Sequence, residues 1–365
     1  MGARRLPRPA RRRSRQGPVT RAATENARGV VVGRRPARVR LLWFGIAVAV
    51  VALLAFASVV IGSRDVSIAD VVAAIGGSVD NTSEAAVAKR LPRTVLALVV
   101  GLALGLAGAV MQGVTRNPLA DPGILGVNMG ASLAIVVGIA WFGLSTATGY
   151  LWVATVGAGV AAVFVYAIGS LGRGGATPLK LALAGAATSA ALASFVTAIS
   201  LPRGDISGTV RSWLIGGVGG AGWTSIGQMA PFLAVGVLVS LLSARRLNSL
   251  ALGDELATGL GERVAVTRAV AALGAVLLCG AATAIAGPIA FVGLVVPHAC
   301  RLLVGVDHRW LLPFSGVVGA GLVVASDVLG RIVARPGEVD VGIITAILGA
   351  PVFIAIVRRR KVSSL

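Results

Sequence analysis

This chain of 365 residues is 56% hydrophobic and only 13% charged, which excludes an ordinary soluble domain, because soluble domains carry about 25% charged residues. Its mean hydropathy is +0.88, and apolar runs of about 18 residues or more recur along its length, as in membrane-spanning helices. The net charge of +20 is unevenly distributed and bears on topology rather than on fold.

The N-terminal stretch, residues 1–40, is rich in arginine and holds a single acid, Glu25. No apolar segment of signal-peptide form precedes Leu41, and the composition predicts a disordered tail. Basic residues before the first apolar run predict a cytoplasmic N-terminus. The tail lacks aromatic residues, so attraction to anionic lipid is favoured over a nucleic-acid-binding arm, and no nucleic-acid partner is expected.

Ten apolar segments follow, and they predict an all-α polytopic membrane protein with about ten transmembrane helices. An even number of spans places both termini in the cytoplasm, where the basic run Arg358–Lys361 is expected by the positive-inside rule. Residues 41–361 form the predicted ten-helix domain and residues 362–365 a short tail. The predicted spans are roughly residues 41–62, 94–114, 123–143, 150–171, 179–200, 223–243, 264–286, 289–304, 311–330 and 342–357.

The first predicted hairpin, Arg90–Ala131, has a polar turn between its two apolar runs. The turn contains Arg116, Asn117 and Pro118 and is predicted on the inner face. In the preceding run, glycines four residues apart form a GxxxG pattern that lets helices approach closely. Packing within the chain is the preferred interpretation of this pattern, over a dimer contact.

Two outer connections are long enough to contain structure. Residues 63–93 include Ser67 and Asp70, three residues apart before an apolar run, which is a capping-box pattern and predicts a short helix on the outer surface. Residues 201–222 contain Trp213 and many glycines, and a second partly buried outer element is expected there.

The sequence lacks the signature of a nucleotide site. None of the lysines, Lys89, Lys180 and Lys361, follows a glycine, so there is no Walker A motif. Asp327 is the only acid well inside a predicted span, whereas proton-driven carriers need ionisable groups at depth. The energy for transport is therefore expected from elsewhere.

No catalytic or metal-binding pattern is apparent either. Cys279 and Cys300 fall in apolar segments and are expected to be buried thiols without metal-ligand spacing. His298 lies near a span end and His308 in a predicted polar loop, and both are interpreted as structural. No cofactor and no metal site are predicted, and an enzyme is disfavoured.

The inner connection after the sixth span contains an apolar stripe. Leu252, Leu256 and Leu260 recur every four residues, which predicts one face of a short helix. Two acids in its first turn suit the helix dipole. From composition alone, this helix either lies against the bilayer or fits a groove of a partner. It extends over about residues 250–262 and comprises Leu252, Gly253, Asp254, Glu255, Leu256, Ala257, Leu260 and Gly261.

Several long motifs resemble one family of transporters, the FecCD-type permeases of type II ABC importers. The motifs are RLPR, GAVMQG and RNPLADPGILGVNMGA in the first hairpin, GPIAFVGLVVPHACRLLVGVDHRWLLP (Gly287–Pro313), SDVLGR (Ser326–Arg331) and GIITAILGAPVFI (Gly342–Ile354). The resemblance runs from about residue 41 to about residue 361 and leaves the arginine-rich tail outside.

The resemblance implies a transport subunit, not an enzyme, of the bacterial cytoplasmic (inner) membrane. Its implied partners are a second permease subunit, identical or paralogous, two cytoplasmic ATPase subunits and an extracytoplasmic substrate-binding protein. The expected cargo is a ferric siderophore, with vitamin B12 or haem as alternatives. The rival from another class is a secondary transporter without ATPase partners.

The resemblance also implies roles for particular residues. Gly253–Gly261 match the coupling helix that sits in the ATPase groove, while Arg90, Arg93 and Arg331 match arginines that meet acids on the binding protein. Arginine on the outer face runs against the positive-inside bias and pairs strongly with carboxylates. The alternative for these arginines is snorkelling to lipid phosphates or pairing within the chain to Glu84, Glu338 or Asp340.

Overall fold

A computed structural model describes residues 36–62, 66–77, 80–172 and 177–362, and every regular element in those ranges is a helix. Predictions about most of the arginine-rich tail and about residues 363–365 lie outside the described residues. The helices, in chain order, are α1 (Ala37–Val60), α2 (Ile68–Ile75), α3 (Thr82–Thr115), α4 (Val127–Phe142), α5 (Ala147–Ser170), α6 (Pro178–Ser200), α7 (Gly204–Ile215), α8 (Trp223–Leu242), α9 (Ala244–Leu250), α10 (Asp254–Gly259), α11 (Val264–Ala286), α12 (Val292–Val304), α13 (His308–Val333) and α14 (Val341–Val362), with a 3-10 turn at Pro122–Leu125.

Ten of these helices correspond to the ten predicted spans. Among the described residues, seven helices are long and apolar enough to cross a membrane, namely α1, α3, α5, α6, α8, α11 and α13. Three shorter apolar helices, α4, α12 and the first part of α14, account for the rest. The prediction of an all-α polytopic membrane protein is confirmed, while the cytoplasmic location of both termini stays a prediction from charge.

Helix α3 is the central and longest element. Its 34 residues give a length of about 51 Å at a rise of about 1.5 Å per residue. It starts at Thr82, where the Asn81 side chain caps it, rather than near residue 94 as predicted. Most of α3 is buried against α11, α12 and α13. Arg90 and Arg93 therefore belong to this long helix and not to a separate short segment.

Close packing of α3 depends on its small residues. A Cβ atom on Gly101 would collide with the carbonyl oxygen of Gly319, one on Gly105 with that of Ser315, and one on Gly108 with that of Gly293. The backbones of α3 and its neighbours thus approach to a distance that only glycine permits. The interpretation of the GxxxG pattern as packing within the chain is confirmed.

Both predicted outer elements are present as helices. Ser67 and Asp70 form the capping box of α2, with the Asp70 amide donating to Ser67 Oγ at 3.2 Å and the Ser67 amide to Asp70 Oδ2 at 2.9 Å. Trp213 lies in α7. The two cysteines are buried free thiols, as expected.

Two details of the prediction were wrong. His308 does not lie in a polar loop but is the first, buried residue of α13, because Asp307 caps that helix through its side chain. The inner helix predicted over about residues 250–262 is shorter than expected, because α10 covers only Asp254–Gly259 between two glycines of positive φ, Gly253 and Gly261. A second helix, α9, precedes it almost directly after α8.

Candidate functional site

Two groups of charged side chains lie near opposite ends of α3. One, the arginine cluster, consists of Arg90, Arg93, Asp327, Arg331 and Glu338 at the end that the charge pattern assigns to the outside, called the outer end. The other lies at the inner end around Asp254. Since Arg93 and Arg116 are 23 positions apart in one continuous helix, the two groups are separated by about 35 Å.

Asp327 is the centre of the arginine cluster, and its side chain is wholly buried. Its Oδ1 lies 2.8 Å from Arg93 Nη2 and its Oδ2 lies 2.8 Å from Arg331 Nη2. Arg331 follows Asp327 by four residues on α13, so the two share one face of that helix. Arg93 comes from α3, and the carboxylate therefore joins α3 to α13.

Arg331 and Arg90 both bind the C-terminal end of α1. Arg331, which is only 2% exposed, donates from Nη1 to the carbonyls of Ser58 (2.8 Å) and Ile61 (3.1 Å). Arg90 donates from Nη1 to the carbonyls of Val59 (3.1 Å) and Val60 (2.9 Å). The last carbonyls of a helix have no partner within the helix, and these two guanidiniums supply one.

Arg93 is the most exposed arginine of the cluster, with 14% of its side chain accessible. Its Nη1 donates to Glu338 Oε2 at 2.6 Å, and 40% of the Glu338 side chain is exposed. Of the three acids considered as intramolecular partners, Glu338 is the one that forms an ion pair with Arg93. Glu84 instead accepts from the Asp80 amide and Asn81 at the start of α3, and docking by the arginines stays a prediction.

Sequence reasoning missed Asp327 as the common partner of two arginines. The signal was present in SDVLGR, because an acid four residues before an arginine in a helix forms a pair on one face. Its link to Arg93 joins positions 234 residues apart, and nothing in the local pattern indicates that contact.

A polar recess borders the cluster. It has a volume of about 590 Å³ and lies between α7, the start of α5 and the segment before α14. The Gly219 backbone on its rim lies beside Arg93 Nη1. Its polar lining includes Tyr150, Ser212, Trp213 and Asp340.

At the inner end, the predicted turn brings Arg116 onto α10. Arg116 ends α3 in the left-handed conformation, with φ of 50°, and its Nη2 lies 3.0 Å from Asp254 Oδ1. Asn117 shapes the turn, because its side chain accepts from the Leu119 amide at 3.0 Å, and Pro118 follows it. The turn predicted on the inner face and the predicted coupling helix are therefore in direct contact.

Asp254 binds a second arginine that the sequence did not suggest. Arg268 Nη2 in α11 donates to Asp254 Oδ1 at 2.8 Å and to Oδ2 at 3.1 Å, and the Arg268 side chain is only 7% exposed. One carboxylate on α10 thus holds guanidiniums from α3 and α11. We call Arg116, Asp254 and Arg268 the Asp254 clasp.

The opposite side of α10 is apolar and open. Leu252, Leu256 and Leu260 are 57%, 62% and 66% exposed, whereas Ala257 on the other face is fully buried. Glycines with positive φ lie on either side of the helix, Gly253 at 106° and Gly261 at 86°. All three leucines are exposed, as a stripe on the surface requires, but only Leu256 lies within α10, and Leu252 and Leu260 flank the helix.

Helix α9 fixes the approach to α10. Asn248 donates from Nδ2 to Asp307 Oδ1 at 2.7 Å and accepts from the His308 amide at 2.9 Å. Burial raises the pKa of the Asp307 carboxyl, but the hydrogen bonds from Asn248 and the Arg309 amide, with nearby Arg40, outweigh burial and leave the pKa below its ordinary value. The start of α13 thereby anchors the chain just before the apolar stripe.

In the part of the chain that the structure describes, neither group of charged side chains forms a metal site. Among the described residues, no three or more His, Cys, Asp or Glu side chains lie close enough to hold a metal ion. Both clusters consist of arginines and carboxylates that join helices, and the open apolar stripe is a surface for another protein or for lipid. The arrangement suits assembly and movement of helices.

Comparison with known proteins agrees with these features. The model of the FecCD transport family matches residues 32–359. The ferric enterobactin transport system permease protein FepD of Escherichia coli is 45% identical over 305 residues, which cover 83% of this chain and 91% of FepD. The probable siderophore transport system permease protein YfiZ of Bacillus subtilis is 43% identical over 284 residues, 77% of this chain and 85% of YfiZ. A solved structure, an inward-facing conformation of a transporter assigned to the metal-chelate ABC type, superposes with a TM-score of 0.76 at 27% identity, covering 87% of this chain and 99% of that one.

Proposed function

The chain belongs to the FecCD transport family, and from that membership we propose that its cargo is a ferric siderophore. It is a permease subunit of an ABC importer and a multi-pass protein of the cytoplasmic membrane. The observation that carries the choice of cargo is 45% identity over 91% of a permease named for ferric enterobactin. A second relative at 43% identity is named for siderophore transport.

In the proposed importer, this chain contacts four kinds of partner. Two cytoplasmic ATPase chains hydrolyse ATP, a second permease subunit completes the pathway, a binding protein delivers the cargo outside, and lipid surrounds the apolar helices. Movement is by alternating access, in which closure of the ATPases shifts α10 and opens the path to the other side. The exposed leucine stripe on α10 supports an ATPase contact, because an apolar surface of this kind is stabilised by a partner groove.

The binding protein is proposed to dock on the arginine cluster through Arg93. Its side chain is the most exposed of the three arginines, at 14%, and its guanidinium is shared between buried Asp327 and exposed Glu338. A carboxylate of the binding protein replaces Glu338, while Arg90 and Arg331 hold the end of α1 beneath it. Bidentate pairing makes arginine well suited to such an exchange of carboxylates.

An uptake assay tests the cargo. The complete importer in proteoliposomes receives ⁵⁵Fe-labelled ferric enterobactin, a ferric hydroxamate, labelled cobalamin or haemin in parallel, with its own loaded binding protein. We expect ATP-dependent accumulation of a ferric siderophore. Accumulation of cobalamin or haemin alone would overturn the proposal in favour of the other cargoes that the family resemblance implies.

The same vesicles separate an importer driven by ATP from a secondary transporter. Replacing the Walker A lysine of the partner ATPase abolishes uptake if ATP hydrolysis drives it, and collapsing the proton gradient leaves uptake intact. Uptake that persists without the ATPase chains would contradict the proposed mechanism.

A further inference from the structure

We infer that Asp254 is a positioning residue whose carboxylate transmits the movement of α10 to α3 and α11, and hence to the outer arginine cluster. This inference rests on the proposed function, since it assigns to the Asp254 clasp the link between the ATPase side and the delivery side. Asp254 therefore acts toward the inside of the permease rather than toward the ATPase.

The two faces of α10 support this assignment. The stripe Leu252, Leu256 and Leu260 is exposed on one side, while Asp254 is held on the other by Arg116 and Arg268. A force that the ATPase applies to the leucines is therefore transmitted to the other helices through the side of α10 that carries Asp254.

The backbone around α10 is a poor alternative route. The helix has only six residues, and Gly253 and Gly261 flank it in left-handed conformations. Glycine leaves the chain with more conformational freedom than any other residue, so the two links are less constrained than a continuous helix. Ion pairs to long helices are the stronger connection.

The two arginines of the clasp differ in burial, and the buried one makes loss of the Asp254 carboxylate unfavourable. Arg268 is almost completely buried, and its guanidinium lies on Asp254 alone among the ion pairs of the described residues. Removing the carboxylate would leave a buried cation without its counter-charge, which is strongly unfavourable. Arg116 is about one-third exposed and contributes less energy, but within the described ranges it is the ion-pair partner that joins Asp254 to α3.

Helix α3 extends the connection to the outer end. It runs without interruption from Arg116 back to Arg93, about 35 Å away, where Arg93 binds Asp327 and Glu338. A displacement of the α10 end of this helix reaches the docking side as a movement of one rigid element. Coupling between the ATPase side and the docking side then depends on α3, which forms ion pairs near both of its ends.

A distance measurement tests the clasp without reference to the cargo. Spin labels go on Gly259→Cys, whose Cβ position meets open space, and on Lys89→Cys at the exposed outer start of α3. The native Cys279 and Cys300 are buried and do not compete. In the assembled importer we expect one narrow distance distribution that is unchanged when ATP and vanadate trap the ATPases closed.

Asp254→Asn, which keeps the shape and removes the charge, should broaden or shift that distribution on trapping. It should also lower cargo transported per ATP by about fivefold or more, the range of a typical coupling free energy. Arg116→Gln provides a second variant at an exposed position that does not threaten folding. The double variant Asp254→Asn/Arg268→Gln should lose little more coupling than Asp254→Asn alone, since both belong to one interaction.

Arg246→Gln is the matched control for Arg116→Gln, because it makes the same change at an exposed position of α9, outside the predicted coupling helix. Distances and coupling in Asp254→Asn and Arg116→Gln that equal those of the parent chain would overturn the inference, as would an equal loss in Arg246→Gln. Failure of the proposed cargo shows up separately, as lack of siderophore uptake by the parent chain with an intact distance response.

Discussion

Arg93 Nη2 and Asp327 Oδ1 lie 2.8 Å apart across the contact between α3 and α13. The carboxylate is wholly buried and also binds Arg331 on its own helix. Burying an ion pair gives little net stability, because desolvation offsets the attraction. The cluster determines which ends of α1, α3 and α13 meet, because Arg93 joins α3 to α13, Arg331 joins α13 to the end of α1, and Arg90 joins α3 to the end of α1.

Removing the buried carboxylate should be costly. Asp327→Asn removes the counter-charge of the buried Arg331 and leaves Arg93 with Glu338 alone, and the expected loss of stability is about 3–5 kcal/mol. The measurement is the apparent melting temperature of the purified subunit in detergent. Glu338→Gln is the control from the same cluster, and its exposed pair should cost no more than about 1 kcal/mol. Equal shifts for the two variants would contradict the central place of Asp327.

Glu338 has a second expected effect, on docking. If the carboxylate of a binding protein replaces Glu338 on Arg93, then Glu338→Gln removes a competitor and the binding protein should bind more tightly. Arg93→Gln should bind more weakly, and Arg93→Glu with Arg90→Glu should abolish binding and uptake. Surface plasmon resonance on immobilised permease measures each affinity. Weaker binding by Glu338→Gln would count against the competition, and unchanged binding by the double glutamate variant against docking on these arginines.

The effect of glycine packing on stability can be tested by comparing a tightly packed glycine of α3 with an open one elsewhere. Gly105→Ala would place a Cβ atom against the Ser315 backbone, and the expected cost of such overpacking is about 1–3 kcal/mol. Gly159→Ala, in α5, meets nothing within 4 Å and should be neutral or stabilising by up to about 1 kcal/mol. Thermal unfolding of both variants in one detergent gives the test. A neutral Gly105→Ala would mean that α3 and α13 can separate without loss.

The sequence predicts the helices better than it predicts their partners. Apolar periodicity locates all ten spans, and the four-residue spacing of Leu252, Leu256 and Leu260 identifies the exposed apolar surface at α10 and its two ends. It does not identify Arg268 as a partner of Asp254, because that pair depends on how α11 packs against α10. The start of α3 was misplaced for a different reason: charged residues such as Lys89, Arg90 and Arg93 interrupt the hydropathy, although Asn81 caps the helix before them.

Asp307 provides a test by pH. Its folded-state pKa lies below the ordinary value, despite burial, because Asn248 and the Arg309 amide donate to it and Arg40 lies near. A lowered folded pKa contributes stability above the unfolded pKa, and this contribution is lost as the pH falls through the folded pKa. Asp307→Asn should be less stable at neutral pH and should lose part of this acid dependence. Melting curves of both proteins at several pH values measure the difference, and parallel curves would contradict the assignment.

The leucine stripe leads to the last prediction, about assembly with the ATPase. Leu256 and Leu260 are each more than 60% exposed, so Leu256→Asp with Leu260→Asp leaves the permease core intact. If the stripe sits in a groove of the ATPase, burying two carboxylates there without partners would be strongly unfavourable. The ATPase chains should then no longer co-purify in detergent, while the melting temperature of the permease alone stays the same. Leu256→Met with Leu260→Met keeps the apolar contact and should retain them. Co-purification of the aspartate variant at the parental level would mean that α10 meets lipid instead, since the stripe is exposed in either arrangement and only the partner differs.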